Sequence, residues 1–96
     1  MTDPRSYRML IDGALVDAAD GSRLDSVNPA TAEVWATFPA ANAADVDRAV
    51  RAAHRAMTDG PWARLTASQR GKLIRRLADL VAEHADAMAQ VETIDT

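Results

Sequence analysis

Apolar residues recur with two different periods along the chain, and the change of period falls near residue 40. Before it the apolar runs are short and cut by turn residues. Met9-Leu10-Ile11 and Ala14-Leu15-Val16 flank Asp12-Gly13, a two-residue hairpin signal, because a type I′ turn needs the positive φ that Asp and Gly tolerate. Asp20-Gly21 repeats that turn signal four residues after Val16. Leu24 to Val27 predicts another strand, stopped at Asn28-Pro29, where proline removes a donor and biases the preceding residue away from helix. Glu33 to Phe38 then alternates, with Val34, Ala36 and Phe38 on one face and Trp35 and Thr37 on the other. Residues 1–39 therefore read as strands and turns. Two short hairpins are marginal in water, so they should lie against something larger.

After residue 40 the period lengthens to that of a helix. Asn42 is placed to cap a helix over 42–59 whose apolar stripe is Val46, Ala49, Val50, Ala53 and Met57. Asp45 and Asp47 occupy its first turn, where the dipole favours anions, and Asp47 can pair with Arg51. Asp59-Gly60-Pro61 ends it. Thr66 and Gln69 then form a T-x-x-Q capping box, followed by the stripe Leu73, Ile74, Leu77, Leu80 and Val81. Helical periodicity runs on through His84, Ala87, Met88, Val91 and Ile94, which predicts one helix or a broken pair over 66–96; Glu83-His84-Ala85-Asp86 permits a break. The final turn, Glu92 to Thr96, puts two acids at the negative end of the helix dipole without a cap. That ending predicts that the chain is the opening segment of a longer polypeptide.

Composition narrows the class. Of 96 residues, 48% are apolar, but many are alanine and only four are aromatic: Tyr7, Trp35, Phe38 and Trp62. A core built mainly from alanine buries little area. A net charge of −3 gives no electrostatic footprint for nucleic acid or an anionic membrane. No apolar run approaches the roughly 20 residues that span a bilayer, and no signal-peptide segment follows Met1, so a cytoplasmic location is expected. The absence of cysteine removes disulfides, thiolate metal sites and a cysteine nucleophile from this segment.

The other chemistry-bearing residues read as structural. His54 and His84 have no partner at metal-ligand spacing. Arg70, Lys72, Arg75 and Arg76 form a solvated face, with Arg75 or Arg76 pairing Asp79. Gly13, Gly21, Gly60 and Gly71 are too dispersed to cradle a phosphate. Trp62 reads as a packing anchor between two helices, and Asp45, Asp47 and Asp59 as residues of helix ends rather than a metal cluster.

The turn Asn28-Pro29-Ala30-Thr31, the run Asp45 to Ala53, Pro61-Trp62, Arg70, Leu77-Ala78-Asp79-Leu80 and the closing Glu92-Thr93-Ile94-Asp95-Thr96 come in an ordered series. As a set it resembles the N-terminal part of the NAD(P)-dependent aldehyde dehydrogenase superfamily, from about Leu10 to Thr96. The resemblance implies an α/β fold for the complete enzyme, with a doubly wound, Rossmann-like NAD-binding domain. Residues 1–96 would be the N-terminal part of that domain, short β-hairpins followed by two or three α-helices. It implies oxidation of an aldehyde to a carboxylic acid with NAD or NADP. In the family a cysteine thiolate attacks the carbonyl, hydride passes to nicotinamide, and glutamate-activated water hydrolyses the thioester. Those groups, and the cofactor-binding lysine and glycines, are expected beyond Thr96, so no catalytic or cofactor-binding residue is assigned here. A homodimer or homotetramer is implied as well.

One family feature maps onto residues in hand. Members resembling betaine aldehyde dehydrogenase hold a structural monovalent cation near the start of the chain. Its ligands are the carbonyls of the two residues before the Asn-Pro turn and the aspartate of the E-T-x-D-T element. Those positions are Ser26, Val27 and Asp95. Hard oxygen ligands suit K+ or Na+, with a further ligand expected from beyond Thr96. The competing reading has Asp95 capping or pairing locally. For the whole chain, the rival is a self-contained interaction module without enzymatic activity, whose helical pair offers an apolar groove to a partner protein.

Overall fold

A computed structural model describes residues 3–96. Five short strands come first and four helices follow among the described residues: β1 Arg5–Ser6, β2 Met9–Ile11, β3 Ala14–Val16, β4 Arg23–Asn28, β5 Glu33–Pro39, α1 Ala43–Thr58, α2 Pro61–Arg64, α3 Ala67–Glu83 and α4 Ala85–Asp95. The Asp12-Gly13 signal forms the expected turn. Both residues take positive φ, +53° and +75°, and Ile11 then faces Ala14 across an antiparallel β2–β3 ribbon. Asp20-Gly21 also turns, with Gly21 donating to the Ala18 carbonyl at 2.9 Å. It makes no hairpin, because β3 pairs with β2 while β4 pairs with β5; the turn links two separate sheets.

The second sheet has the order β1-β5-β4, with β1 parallel and β4 antiparallel to the central β5. Two residues of β1 would hold an edge poorly by themselves. The Arg23 guanidinium reinforces them, donating to the Tyr7 carbonyl at 2.7 Å, the Thr37 carbonyl at 3.0 Å and the Ser6 hydroxyl at 3.1 Å. It also pairs with Asp17 at 3.5 Å. Between β4 and β5 the chain reverses over residues 29–32. Asn28 closes this turn from both ends, its carbonyl accepting from Ala32 at 2.8 Å and its side chain from Ala30 at 2.9 Å. Ala32 sits at φ +60°, a region in which a Cβ is strained.

The predicted alternation of Glu33 to Phe38 is interrupted. Ser26 pairs with Ala36 and Val27 with Val34, which leaves Trp35 as the extra residue of a β-bulge. Ala36 is buried, whereas Phe38 on the same face remains partly exposed.

Both capping predictions are met. Asn42 accepts from the Asp45 N–H while Asp45 accepts from the Asn42 N–H, and Thr66 and Gln69 do the same for α3. The ion pairs Asp47–Arg51, at 2.7 Å, and Arg75–Asp79, at 3.8 Å, also form. Pro61, read as a terminator, starts the one-turn helix α2, since its fixed φ suits the first helical position. The break permitted near residue 84 occurs. His84 ends α3 and begins α4, and its Nδ1 lies 2.9 Å from the Leu80 carbonyl.

The buried face of α1 coincides with the expected stripe only at Ala49 and Ala53. Ala52 is buried, and Ala49, Ala53 and Ala56 share with it a groove lined also by Leu10 and Ile11, so alanines set the helix against the first hairpin. Val46, Val50 and Met57 are 54–64% exposed. The α3 stripe is open too: Leu73, Ile74, Leu77 and Val81 are all exposed. Among the described residues, Ala18, Ala36, Ala52 and Pro39 are the buried residues without a polar side chain. The Cα radius of gyration is 16.9 Å, where a compact chain of this length would have about 12.5 Å. The accessible surface is 7479 Å², roughly 2,100 Å² more than a folded monomer of this mass exposes.

Candidate functional site

Two carboxylates, Asp45 and Asp95, bond to groups far away in the sequence. Asp45 is 1% exposed and fully committed. One oxygen accepts from the Ala19 N–H and from Arg48, each at 2.9 Å, and the other accepts from Asn42 at 3.0 Å. The helix cap thereby also ties down the loop after β3, 26 residues away. The Asn42 backbone N–H, then the Ala19 backbone N–H and the Arg48 guanidinium, hold the Asp45 carboxyl below its ordinary range; burial acts the other way and is outweighed. Sequence reading placed Asp45 in the first turn and missed this role. The N-x-x-D spacing of Asn42 and Asp45 was the available signal, whereas nothing local marks Ala19.

Asp95 closes the last turn of α4, and α4 lies against β4. Among the three residues expected to form a cation site, Ser26 and Asp95 meet, since the Ser26 hydroxyl donates to Asp95 Oδ1. A donor that sequence reading missed, Trp35 Nε1, reaches the same oxygen at 3.0 Å. Val27 follows Ser26 on β4, and because its side chain is aliphatic its backbone carbonyl is the only atom that could ligate a cation. The pairing of Asp95 is thus long-range, across 69 and 60 residues, rather than a local cap.

The bulge explains why these groups converge. An extra residue on β5 at the Ser26/Val27 position bends the ladder and re-aims the Trp35 side chain. Tyr7 packs edge-on against that indole, with ring centroids 6.1 Å apart and an interplanar angle of 70°. The Arg5 guanidinium carbon lies 5.8 Å from the indole centroid. A mostly apolar groove lined by Tyr7, His84, Ala87, Met88 and Val91 leads along α4 to Asp95.

The donor set is chemically specific. Asp95 supplies one carboxylate and Ser26 one hydroxyl, and among the described residues no three His, Cys, Asp or Glu side chains cluster at metal-binding distance. That set lacks the soft or multiply anionic ligands that hold zinc or calcium. Gly13 and Gly21 serve turns, Gly60 precedes α2 and Gly71 lies within α3.

Comparison with known proteins places these features in a wider setting. Residues 15–96 match the profile of the aldehyde dehydrogenase family. A (Z)-2-((N-methylformamido)methylene)-5-hydroxybutyrolactone dehydrogenase from Acinetobacter baylyi is 48% identical over 92 residues, covering 96% of this chain and 18% of that protein. The NAD+ complex of an aldehyde dehydrogenase from Bacillus cereus superimposes with a TM-score of 0.92 at 42% identity, over 95% of this chain and 18% of that one. Betaine aldehyde dehydrogenase from Staphylococcus aureus, in complex with NAD+, gives a TM-score of 0.88 at 41% identity, over 96% and 18%. The chain therefore spans about 18% of the length of each of these relatives.

Proposed function

The chain belongs to the aldehyde dehydrogenase family, and on that premise we propose that it is the scaffolding segment of an enzyme that oxidises an aldehyde to a carboxylic acid. The observation that carries this reading is the uncovered apolar surface. The exposed apolar side chains of α1 and α3 are part of an excess of total accessible surface of roughly 2,100 Å² over the expected monomer value, more than one partner loses in a standard protein interface. The relatives have most of their length outside the matched region, enough chain to cover such a surface. On this reading α1 and α3 support the remainder of a dinucleotide-binding domain.

NAD+ in the Bacillus cereus and Staphylococcus aureus structures supports NAD rather than NADP as the cofactor of the whole enzyme. The cofactor would supply the hydride acceptor, held by residues outside this chain. The residues in hand contribute position: Arg23 fixes the edge of the sheet, Asp45 fixes α1 to the first hairpin, and Asp95 fixes α4 to β4. The backbone carbonyls of Ser26 and Val27 and the carboxylate of Asp95 would hold K+ or Na+ at the α4–β4 junction, where the ion would supply positive charge that ties helix to strand. Hard oxygens beside a single carboxylate support that choice. We place the enzyme in the cytoplasm as a homodimer or homotetramer; no helix among the described residues is long and apolar enough to cross a membrane.

The test compares this 96-residue chain with a polypeptide of family length that contains it. NADH formation from NAD+ and short aldehydes is expected from the longer protein alone, and the isolated chain should unfold in a broad, poorly cooperative transition. Turnover by the isolated chain, or a sharp two-state transition, would overturn the scaffold reading in favour of a self-sufficient module.

A further inference from the structure

Aspartate is followed by glycine at three places, Asp12-Gly13, Asp20-Gly21 and Asp59-Gly60. Glycine has no Cβ to shield its amide from the preceding carboxyl, and its backbone turns freely. The fold treats the three amides differently. The Gly21 N–H donates to the Ala18 carbonyl at 2.9 Å, and the Asp20 carboxylate is held by the Ser22 N–H at 2.9 Å. The Gly60 N–H donates to the Arg55 carbonyl at 3.1 Å, and a Cβ at Gly60 would stand 3.4 Å from the Ala56 backbone. The Gly13 N–H has no such acceptor among the described residues, and no atom lies within 4 Å of the place its Cβ would take. Asp12 pairs with Arg55 at 3.5 Å, and both side chains are well exposed. The turn they occupy joins two strands of three residues in a sheet of only two strands, which opens easily.

We propose that Asp12-Gly13 is a site of spontaneous isoaspartate formation, and that the fold leaves this pair reactive while it protects the other two. The Gly13 nitrogen gives its proton to solvent and attacks Asp12 Cγ, whose carboxyl is in the protonated form. The Cγ–OH bond breaks, water leaves, and a cyclic imide (succinimide) forms. Water then adds to the Asp12 α-carbonyl carbon, the bond from that carbon to the Gly13 nitrogen breaks, and a proton returns to the nitrogen. The peptide now runs through Cβ and Cγ, and the α-carboxylate is free. The water consumed equals the water released, and no oxidant or cofactor enters. The rerouted backbone is one carbon longer between Ile11 and Ala14, which face each other across the turn. The carboxylate also moves relative to Arg55, so the tip of the first hairpin loses its ion pair to α1.

The experiment incubates the intact polypeptide that carries this segment in warm, near-neutral buffer, with a parallel sample unfolded in urea. Isoaspartate at each pair is followed over time by peptide mapping. Its marks are resistance to a protease that cuts before aspartate, and labelling from S-adenosylmethionine by an isoaspartyl carboxyl methyltransferase. Asp12→Glu keeps a carboxylate beside Arg55 but closes the larger ring far less readily, so it checks the assignment of the signal. In the folded protein, isoaspartate is expected to accumulate at Asp12 about tenfold faster than at Asp20 or Asp59, the scale of the backbone hydrogen bond that each of those must first break. In urea the three rates should converge, and Asp12→Glu should abolish the signal at position 12. A folded-state rate at Asp12 no greater than at Asp20 or Asp59 overturns the proposal. The same preference for Asp12 in urea also overturns it, because local sequence rather than the fold would then make the choice. A signal at position 12 that survives Asp12→Glu overturns the assignment of the chemistry to this pair.

Discussion

The strand half of the chain and its α3 helix reach very different states of completion. Strands β1, β4 and β5 are joined by backbone ladders, by the Arg23 guanidinium and by the bonds of Asn28. Helix α3 has a sound cap and two ion pairs, Arg75–Asp79 and Arg76–Glu83, but its large apolar residues face outward. Hydrogen bonds are local and directional, so a segment can satisfy them within itself. Burial of Leu and Ile needs a second surface, and burial decides most of a helix's stability. A helix can thus be fully specified and still lack the contacts that would make it stable.

Substituting within the open stripe sharpens that contrast most. Leu77→Ala should change the stability of the isolated chain by less than about 0.5 kcal/mol, as at an exposed site. In a longer polypeptide that covers α3, the same change should cost about 2–5 kcal/mol in chemical denaturation. Equal small effects in both would mean that the stripe is never covered. Next in size is Arg23→Ala, which removes the donors to Tyr7, Thr37 and Ser6. We expect a loss of about 2 kcal/mol and early hydrogen exchange at the Tyr7 amide, which bonds to the Thr37 carbonyl. If Tyr7 stays as protected as in wild type, the backbone ladder alone holds β1.

Ala32→Gly should act in the opposite direction. It relieves a strained Cβ at φ +60° at some cost in unfolded-chain entropy, for a net gain of about 0.5–1 kcal/mol. A lowered thermal midpoint would show that this turn is not under strain. The mildest effect concerns acid. The folded-state pKa of Asp45 is lowered, so its contribution is present above the unfolded carboxylate value near 4 and is lost as pH falls through the folded value. Protection of the Ala19 amide should therefore hold at pH 5 and fade only in stronger acid. Fading already between pH 6 and 5 would mean that another group controls the loop.

How much of this was legible in the sequence follows the same division. Asp12-Gly13, Asn42, Thr66-x-x-Gln69 and the i,i+4 pairs are short-range devices, and each acts as its spacing predicts. The packing face of α1 was legible in part: Ala49 and Ala53 of the expected stripe line the groove against the first hairpin, whereas the buried Ala52 lies outside that stripe, because periodicity alone does not say which edge of a stripe a hairpin will cover. The bulge at Trp35 was hidden because alternation in one strand says nothing about its partner's register. Asp20-Gly21 was a turn without being a hairpin, a matter of which strands pair rather than of local φ. At the candidate site, Ser26 and Asp95 came from resemblance, whereas the Trp35 N–H required the folded geometry.

The tie between Ser26 and Asp95 also fixes an order of events during synthesis. Asp45 reaches back 26 residues to Ala19, but Asp95 must close a loop of 69 residues. In loop entropy the longer closure costs only about 0.9 kcal/mol more. The larger difference is temporal, because the second tie cannot form until the ribosome has released residue 95. For an interval of several seconds, at about 5–20 residues per second, the hairpins and α1 can assemble while β4 and the Trp35 indole wait for the carboxylate that will engage them.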